Sequence, residues 1–338
     1  MQITSPPPED WLKITPAGLY CSAGDFMIDP IQPAARVLIT HGHADHARPG
    51  NQAVLATAGT LAIMQSRFGA SAGAGQAVAY GEKTDINGVS VTFLPAGHVL
   101  GSAQIVLEFG GRRVIVSGDY KRRRDPTCEE FTQRSCDVFI SEATFGLPVF
   151  HHPPDHTQIA KILDALELEP ERCVLIGAYA LGKCQRVICL LREAGYDETI
   201  YLHGAVVALC ELYTRLGIEL GSLEPVQEID KKALEGKIIM APPSALNDRW
   251  SRRLPDPICA MASGWMSIRA RARQRRVELP LVISDHADWD ELLQTLNDVG
   301  APDVWITHGR EDAIVYWANK NGFKARPLDI AGYDDEGD

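Results

Sequence analysis

The chain has 338 residues, 45% of them hydrophobic and 23% charged, and a net charge of −11. That length accommodates one large domain or two ordinary ones with a sizeable core. No run approaches the roughly 18 apolar residues of a membrane span, the N-terminal residues form no secretory leader, and the acidic balance argues against indiscriminate binding to polyanions while leaving room for a local basic groove.

Residues 18–30 read as a hairpin, with Leu19-Tyr20-Cys21 and Phe26-Met27-Ile28 flanking a Ser-Ala-Gly-Asp turn and Asp29 closing the second strand before Pro30. An apolar strand at 36–39 then runs into Thr40-His41-Gly42-His43-Ala44-Asp45-His46. A helix is expected at 61–68 and a loop of small residues at 69–75. Strands follow at 88–94, 104–109, 113–116 and 138–140, with His98, Asp119 and Glu142 at strand ends. The middle of the chain alternates differently. Strands at 173–178, 199–202, 237–241 and 258–262 are separated by helices at 156–167, 181–194 and 204–216, the pattern of a parallel α/β unit with its own sheet. The end returns to the first pattern: a strand at 281–284, His286, a helix at 289–299, a strand at 304–307, His308 and a helix at 312–319. Residues 334–338 form an acidic tail, expected to be solvated and disordered. The reading is an α/β chain in three segments: 1–147, an inserted 148–279, and 280–338.

Three histidines and an aspartate within six positions supply imidazole and carboxylate at ligand density for a borderline cation such as zinc. His41 and His43 fall on one side of an extended segment. Asp45 and His46, past the turn, can face a second point, so one loop can serve two neighbouring ions; the alternative is a polar surface loop rich in histidine. Any single titratable group at a strand end is ordinarily a satisfied core residue. Asp29, His41, His98, Asp119 and Glu142 repeat the pattern, which favours convergence on one site. The eight cysteines stand apart, with no Cys-x-x-Cys pair, and read as reduced, mostly buried thiols of a cytoplasmic protein. Eight arginines lie between positions 249 and 276, among them Arg269, Arg271 and Arg273, and Lys121-Arg122-Arg123-Arg124 follows Asp119. Such runs are either solvated faces or a groove that tracks a phosphate backbone; the groove is favoured because one run adjoins Asp119. Gly182-Lys183 opens a helix that also carries Arg186, where a phosphate can meet backbone N–H groups and a lysine; Lys183 can equally be an ordinary surface lysine. Tyr179, His203 and Trp265 can stack on bases, but read more simply as packed aromatics. His151, His152 and His156 read as surface of a Pro-rich junction.

In order along the chain, Asp29, the His41-x-His43-x-Asp45-His46 loop, His98 and Asp119 resemble the motifs of the metallo-β-lactamase fold, an αββα sandwich. Glu142, His286 and His308 resemble three further motifs of its nucleic-acid-processing branch, the β-CASP nucleases, in which an α/β domain is inserted. Gly97-His98-Val99-Leu100-Gly101-Ser102-Ala103, Thr144-Phe145-Gly146-Leu147-Pro148 and Ser263-Gly264-Trp265-Met266 look closest to the bacterial ligase-associated, Artemis-like DNA exonucleases. The resemblance implies two zinc ions, with manganese as an alternative. His41, His43 and His98 would hold one, Asp45, His46 and His308 the other, with Asp119 bridging and Asp29 orienting a ligand histidine. It implies Glu142 holding His286, whose ring then protonates the leaving oxygen or stabilises charge on the phosphate; the alternative for Glu142 is a buried salt bridge. Substrate contacts are expected at Lys183, Arg186, Ser263, Arg269, Arg271 and Arg273. It implies a DNA exonuclease acting on single strands or ends, linked in function to a DNA ligase and a helicase. His308 also suits the RNA-processing branch, so RNA stays open as the polymer. A thioesterase or lactamase on the same fold would need neither the inserted domain nor the Glu142/His286 pair. A non-catalytic scaffold would be expected to have lost ligands.

Overall fold

The structure, a computed structural model, describes residues 6–309 and 311–328; the acidic tail at 334–338 lies outside them. A short helix α1 (Pro8–Trp11) leads into β1 (Leu12–Thr15), β2 (Gly18–Cys21), β3 (Phe26–Ile28), β4 (Arg36–Leu38) and β5 (Ala53–Thr57), and helix α2 (Ala58–Phe68) returns the chain to β6 (Ala74–Val78). These six strands pair in sequence order, antiparallel from β1 to β3 and parallel from β3 to β6. A second sheet begins with the meander β7 (Lys83–Ile86), β8 (Val89–Pro95), β9 (Ala103–Phe109) and β10 (Arg112–Val116), then takes β11 (Val138–Ala143). The chain leaves through α3 (Asp155–Leu168), β12 (Val174–Gly177), α4 (Lys183–Glu193), β13 (Ile200–Leu202), α5 (Gly204–Arg215), β14 (Leu223–Pro225), β15 (Ile238–Ala241), β16 (Ile258–Ala262), α6 (Arg269–Gln274) and β17 (Leu279–Leu281). It comes back through α7 (Trp289–Val299), β18 (Asp303–Gly309), α8 (Glu311–Lys320) and β19 (Lys324–Pro327), completing the second sheet in the order β19-β18-β11-β10-β9-β8-β7.

Side chains alternate across each strand, and that alternation builds the layers. Leu38 of β4, Val114 and Val116 of β10, and Ile140 of β11 meet Leu19, Phe26, Phe93 and Trp305 in a core between the two sheets. Their neighbours Ile115, Phe139, Val304 and Ile306 face the other way, onto Leu292, Leu296 and Val299 of α7 and Ile314 of α8. Val37, Ile39, Val54 and Ala56 face Met64 of α2. Helix, sheet, sheet and helix therefore stack in four layers.

The described residues up to Phe150, with those from His286 on, make one compact unit, and His151–Asp285 make the other. The second unit has a wholly parallel sheet in the order β14-β13-β15-β12-β16-β17. Its central strands are buried along their whole length, as in Val174-Leu175-Ile176 and Ile238-Ile239-Met240, which is what helices on both faces of a parallel sheet require.

Several element boundaries differ from the sequence reading. Residues 69–75, read as a loop, hold a 3-10 turn at Gly69–Ala72 and the start of β6. The strand expected at 281–284 meets an observed strand only at Leu281, where β17 (Leu279–Leu281) ends, and β17 belongs to the inserted sheet. Glu142 and His308 lie within β11 and β18, not beyond them. Helix α7 coincides with its expected span because both ends are written locally. Asp288 and Glu291 form a reciprocal capping box, and Gly300 closes the helix in the left-handed conformation at φ +62°.

Candidate metal centre

Each site residue hangs from the end or edge of a packed strand. Asp29 follows β3 with φ +42°, a strained conformation for a non-glycine residue. It is held there from both ends: its N–H donates to Leu38 O at 3.0 Å, and its carboxylate accepts from Thr40 N–H at 2.8 Å, Thr40 Oγ1–H at 2.5 Å and His46 Nδ1 at 2.8 Å. The His41–His46 loop follows β4. From α2, Arg67 Nη1 donates to Gly42 O at 2.5 Å and steadies the loop at its glycine. The pairing of Pro95 with Ala103 brackets the turn that carries His98. Ser102 Oγ accepts from the His98 and Val99 amides, and Gly97 takes φ +74° where a side chain would meet Lys121 O. Asp119 follows β10 through Gly118, whose φ is +57°.

His308 is placed by an irregularity in the ladder. Ser141 pairs with Ile306 and Ala143 with Gly309, so two steps along β11 match three along β18. The extra residue is a bulge of the kind that re-aims a side chain, and within it His308 adopts φ +59°.

The strand ends bring two groups together. His41, His43, His98 and Asp119 form one and His46, Asp119 and His308 the other, with one ligand atom per residue lying within 4.8 Å of the rest in each group. Asp119 is common to both, with Oδ2 3.4 Å from His41 Nε2, 3.4 Å from His46 Nε2 and 3.8 Å from His98 Nε2. Asp45 stands further out, its side chain 36% exposed and Oδ2 3.6 Å from His46 Nε2. Burial, with His46 and His98 nearby, holds His41 well below the ordinary histidine pKa. Burial likewise takes His308 to about 4. Burial also opposes the charge on His46, but Asp119 and Asp45 outweigh it and raise that ring well above its ordinary value. Asp119 is held well below the carboxylate range because His46 and His286 overcome its burial.

The donor set fits divalent ions. His41 Nε2 is buried and makes no hydrogen bond, and His43 Nδ1 and His98 Nε2 stand 3.0 Å apart. Imidazole nitrogens converging on a carboxylate are what zinc or manganese binds.

Beside the groups lies a carboxylate–imidazole pair. Glu142, fully buried, accepts the Tyr120 N–H at 2.7 Å and faces His286 Nδ1 at 2.9 Å. The His286 ring lies tilted against that of His98, with centroids 4.7 Å apart. Asp119, Glu142 and His286 themselves come within the same 4.8 Å limit.

Residues 24–177 match the family model described as the beta-lactamase superfamily domain. The fold is of the metallo-β-lactamase type, with a β-CASP-like domain inserted. A crystal structure of a protein of unknown function from Enterococcus faecalis V583 shares this metallo-β-lactamase-type fold at a TM-score of 0.59 and 11% identity, over 88% of this chain and 80% of that one. A probable DNA ligase of Opitutus terrae is 29% identical over 91% of this chain and 30% of its own length. Cleavage and polyadenylation specificity factor subunit 3-I of Arabidopsis thaliana is 24% identical over 71% of this chain and 42% of its own. Endoribonuclease YSH1 of Saccharomyces cerevisiae is 34% identical over 40% of this chain and 18% of its own. The chain thus spans less than half the length of each of these three relatives.

In the β-CASP-like unit the expected substrate residues divide. Arg186 is fully buried, with its guanidinium on Asp155 at 2.5 Å, on Asp285 at 3.2 Å and on the Ser284 carbonyl. Lys183 is buried near Asp285, with Nζ over the Tyr179 ring. Ser263 is buried and caps the turn at Gly264–Ser267. Arg269, Arg271 and Arg273 are exposed on α6, Arg271 lying over buried Trp265 at 3.8 Å. His203 caps α5 and packs edge-on against Trp250. His152, expected at the surface, is buried. In the other basic run, Lys121 is buried on Asp125 at 2.6 Å, Arg122 pairs with Asp298 at 2.7 Å, and Arg123 pairs with Asp288 and Glu291. Three of its four cations therefore serve the fold. Thr40, Arg67 and the Tyr120 amide act on the site and were missed in the sequence. Thr40, adjoining the motif, was the one open to a side-chain reading, whereas Arg67 and the amide act through backbone geometry.

Proposed function

We propose that the chain is a metal-dependent nuclease hydrolysing phosphodiester bonds, with RNA as its first substrate candidate. The observation that carries the reading is Asp119 standing between two histidine groups with the Glu142–His286 pair alongside. His41, His43 and His98 would hold one ion, and His46, His308 and Asp45 the other, with Asp119 shared. Two divalent ions bound there, zinc or manganese, would supply an activated water and charge stabilisation on the phosphate.

The chain's own groups do the rest. Glu142 accepts the Nδ1–H of His286 and fixes its ring, which assigns proton exchange to Nε2. As a general acid, Nε2 delivers a proton to the leaving oxygen. Buried Glu142, tied to the Tyr120 amide, keeps that ring from turning. Arg269, Arg271 and Arg273 are exposed where they can meet backbone phosphates; Lys183, Arg186 and Ser263 stand as buried supports of the segments around them, with contact to substrate still part of the proposal.

RNA is supported by the relatives' names: an endoribonuclease in yeast and a cleavage and polyadenylation factor in Arabidopsis. DNA, the expectation from sequence, is supported by one observation, the match over 91% of this chain within a probable DNA ligase; that reading carries with it the link to a ligase and a helicase. The test is metal analysis followed by matched DNA and RNA strands of one sequence at equal salt. Internal cleavage of RNA supports the first reading and progressive loss of DNA from an end supports the second. Metal-loaded protein that cuts neither strand overturns both.

A further inference from the structure

We infer that Thr40 is a positioning residue whose hydroxyl fixes the ring state of His41, so that the single carboxylate of Asp29 presets a histidine in each of the two ligand groups. The inference rests on the metal-centre reading above and goes beyond it by naming what orients the ligands.

The argument is a count of protons. A threonine hydroxyl has one proton to give. Thr40 Oγ1 lies 2.5 Å from Asp29 Oδ2, and a carboxylate only accepts, so the proton goes there. Thr40 Oγ1 also lies 3.4 Å from His46 Nδ1, whose nearer partner is Asp29, and 3.1 Å from His41 Nδ1. With its proton committed, the hydroxyl can only accept from that nitrogen. His41 therefore carries its proton on Nδ1 and leaves Nε2, 3.4 Å from Asp119 Oδ2, as a bare lone pair. His46 is oriented directly, since its Nδ1 faces Asp29 Oδ2 at 2.8 Å, which turns its Nε2 to within 3.4 Å of the same Asp119 oxygen.

The hydroxyl has little freedom to do otherwise. The Thr40 amide donates to Asp29 Oδ1 at 2.8 Å, and its carbonyl accepts from Ala103 N–H at 2.8 Å. A Cβ on Gly118 would fall 2.8 Å from Thr40 Cβ, so the residue is packed from above as well. His41 belongs to one ligand group and His46 to the other. Asp29 therefore governs both, one by contact and one through Thr40.

The test compares wild type, Thr40→Val, Thr40→Ser and Asp29→Asn, each loaded with Zn²⁺ and titrated with a chromophoric chelator, then repeated with Co²⁺ to follow visible absorption. Valine keeps the shape and removes the hydroxyl, so one of two ions should bind about 10–100-fold more weakly while the other is unchanged. Serine should restore it. Asp29→Asn should weaken both ions and alter both cobalt environments. If Thr40→Val does not fold, Thr40→Ala takes its place. A Thr40→Val curve identical to wild type, or equal weakening of both ions, overturns the role of Thr40 while leaving the metal centre standing. Wild type that binds no ion overturns the metal centre itself.

Discussion

Asp119 has the most to lose at the scale of single residues. Its Oδ2 lies within 3.8 Å of nitrogens from His41, His46 and His98, and His46 and His286 hold its carboxyl well below the usual carboxylate range. Asp119→Ala should lose both ions, beyond the roughly 10–100-fold that removal of an outer hydrogen-bond partner costs, with the fold intact by circular dichroism. Metal content measured after gel filtration checks this, and two ions retained would remove Asp119 from its shared position. His286 makes a different forecast. Its Nδ1 is engaged by Glu142, and on the proposed reading it exchanges protons and is not a principal ligand. His286→Ala should keep both ions, change KM little and lower kcat on the order of 10²–10⁴. Loss of metal in that variant would reassign it as a ligand. The chemistry of these side chains was legible in the sequence because imidazole and carboxylate at strand ends have few other uses at that density. What Thr40 and the Tyr120 amide do was not legible, since a hydroxyl or an N–H becomes specific only when a fold places it 2.5–3.1 Å from a partner.

Among elements, the bulge between β11 and β18 is where the second ligand group is made. Gly309 follows His308 with φ +86°, and a Cβ there would lie 2.3 Å from Ala143 O. Neither the conformation nor the contact admits a side chain. Gly309→Ala should destabilise the protein by at least about 1–3 kcal/mol and loosen the ion held through His308 more than the other. Melting curves with and without chelator measure both effects, and an unchanged midpoint would contradict the tight approach. The sequence showed that a strand ends near His308 but not that one extra residue sits inside it, because a bulge is a property of two strands paired in register. The same reason explains β17: 281–284 reads as the strand, yet it is Leu279–Leu281 that finds a partner, β16. Where an element's limits are local, as with Asp288, Glu291 and Gly300 around α7, they could be read directly.

For the molecule as a whole, net charge and local charge pull in opposite directions. At −11 the chain repels polyanions on average, so binding of a nucleic acid depends on where cations remain available. Lys121, Arg122 and Arg123 are drawn into ion pairs with Asp125, Asp298, Asp288 and Glu291, which lowers their claim to a phosphate backbone. Arg269, Arg271 and Arg273 keep exposed guanidinium groups on one short helix, and Arg271 is braced over Trp265. A braced arginine gives up less freedom on meeting a phosphate than one waving in solvent. Each phosphate neutralised adds close to 1 to the slope of log K against log salt on a duplex and about 0.7 on a single strand. Arg271→Ala with Arg273→Ala should therefore weaken binding of a single-stranded oligonucleotide and flatten that slope by up to about 1.4, with both ions and the melting midpoint unchanged. The Arg122→Ala variant is the contrast: losing its pair with Asp298, it should shift the melting midpoint and leave the slope as it was. Fluorescence anisotropy across a salt series reads affinity and slope, and thermal melts read the midpoint. A slope that stays put in the double variant would make α6 a solvated face and leave the substrate to be held by other groups.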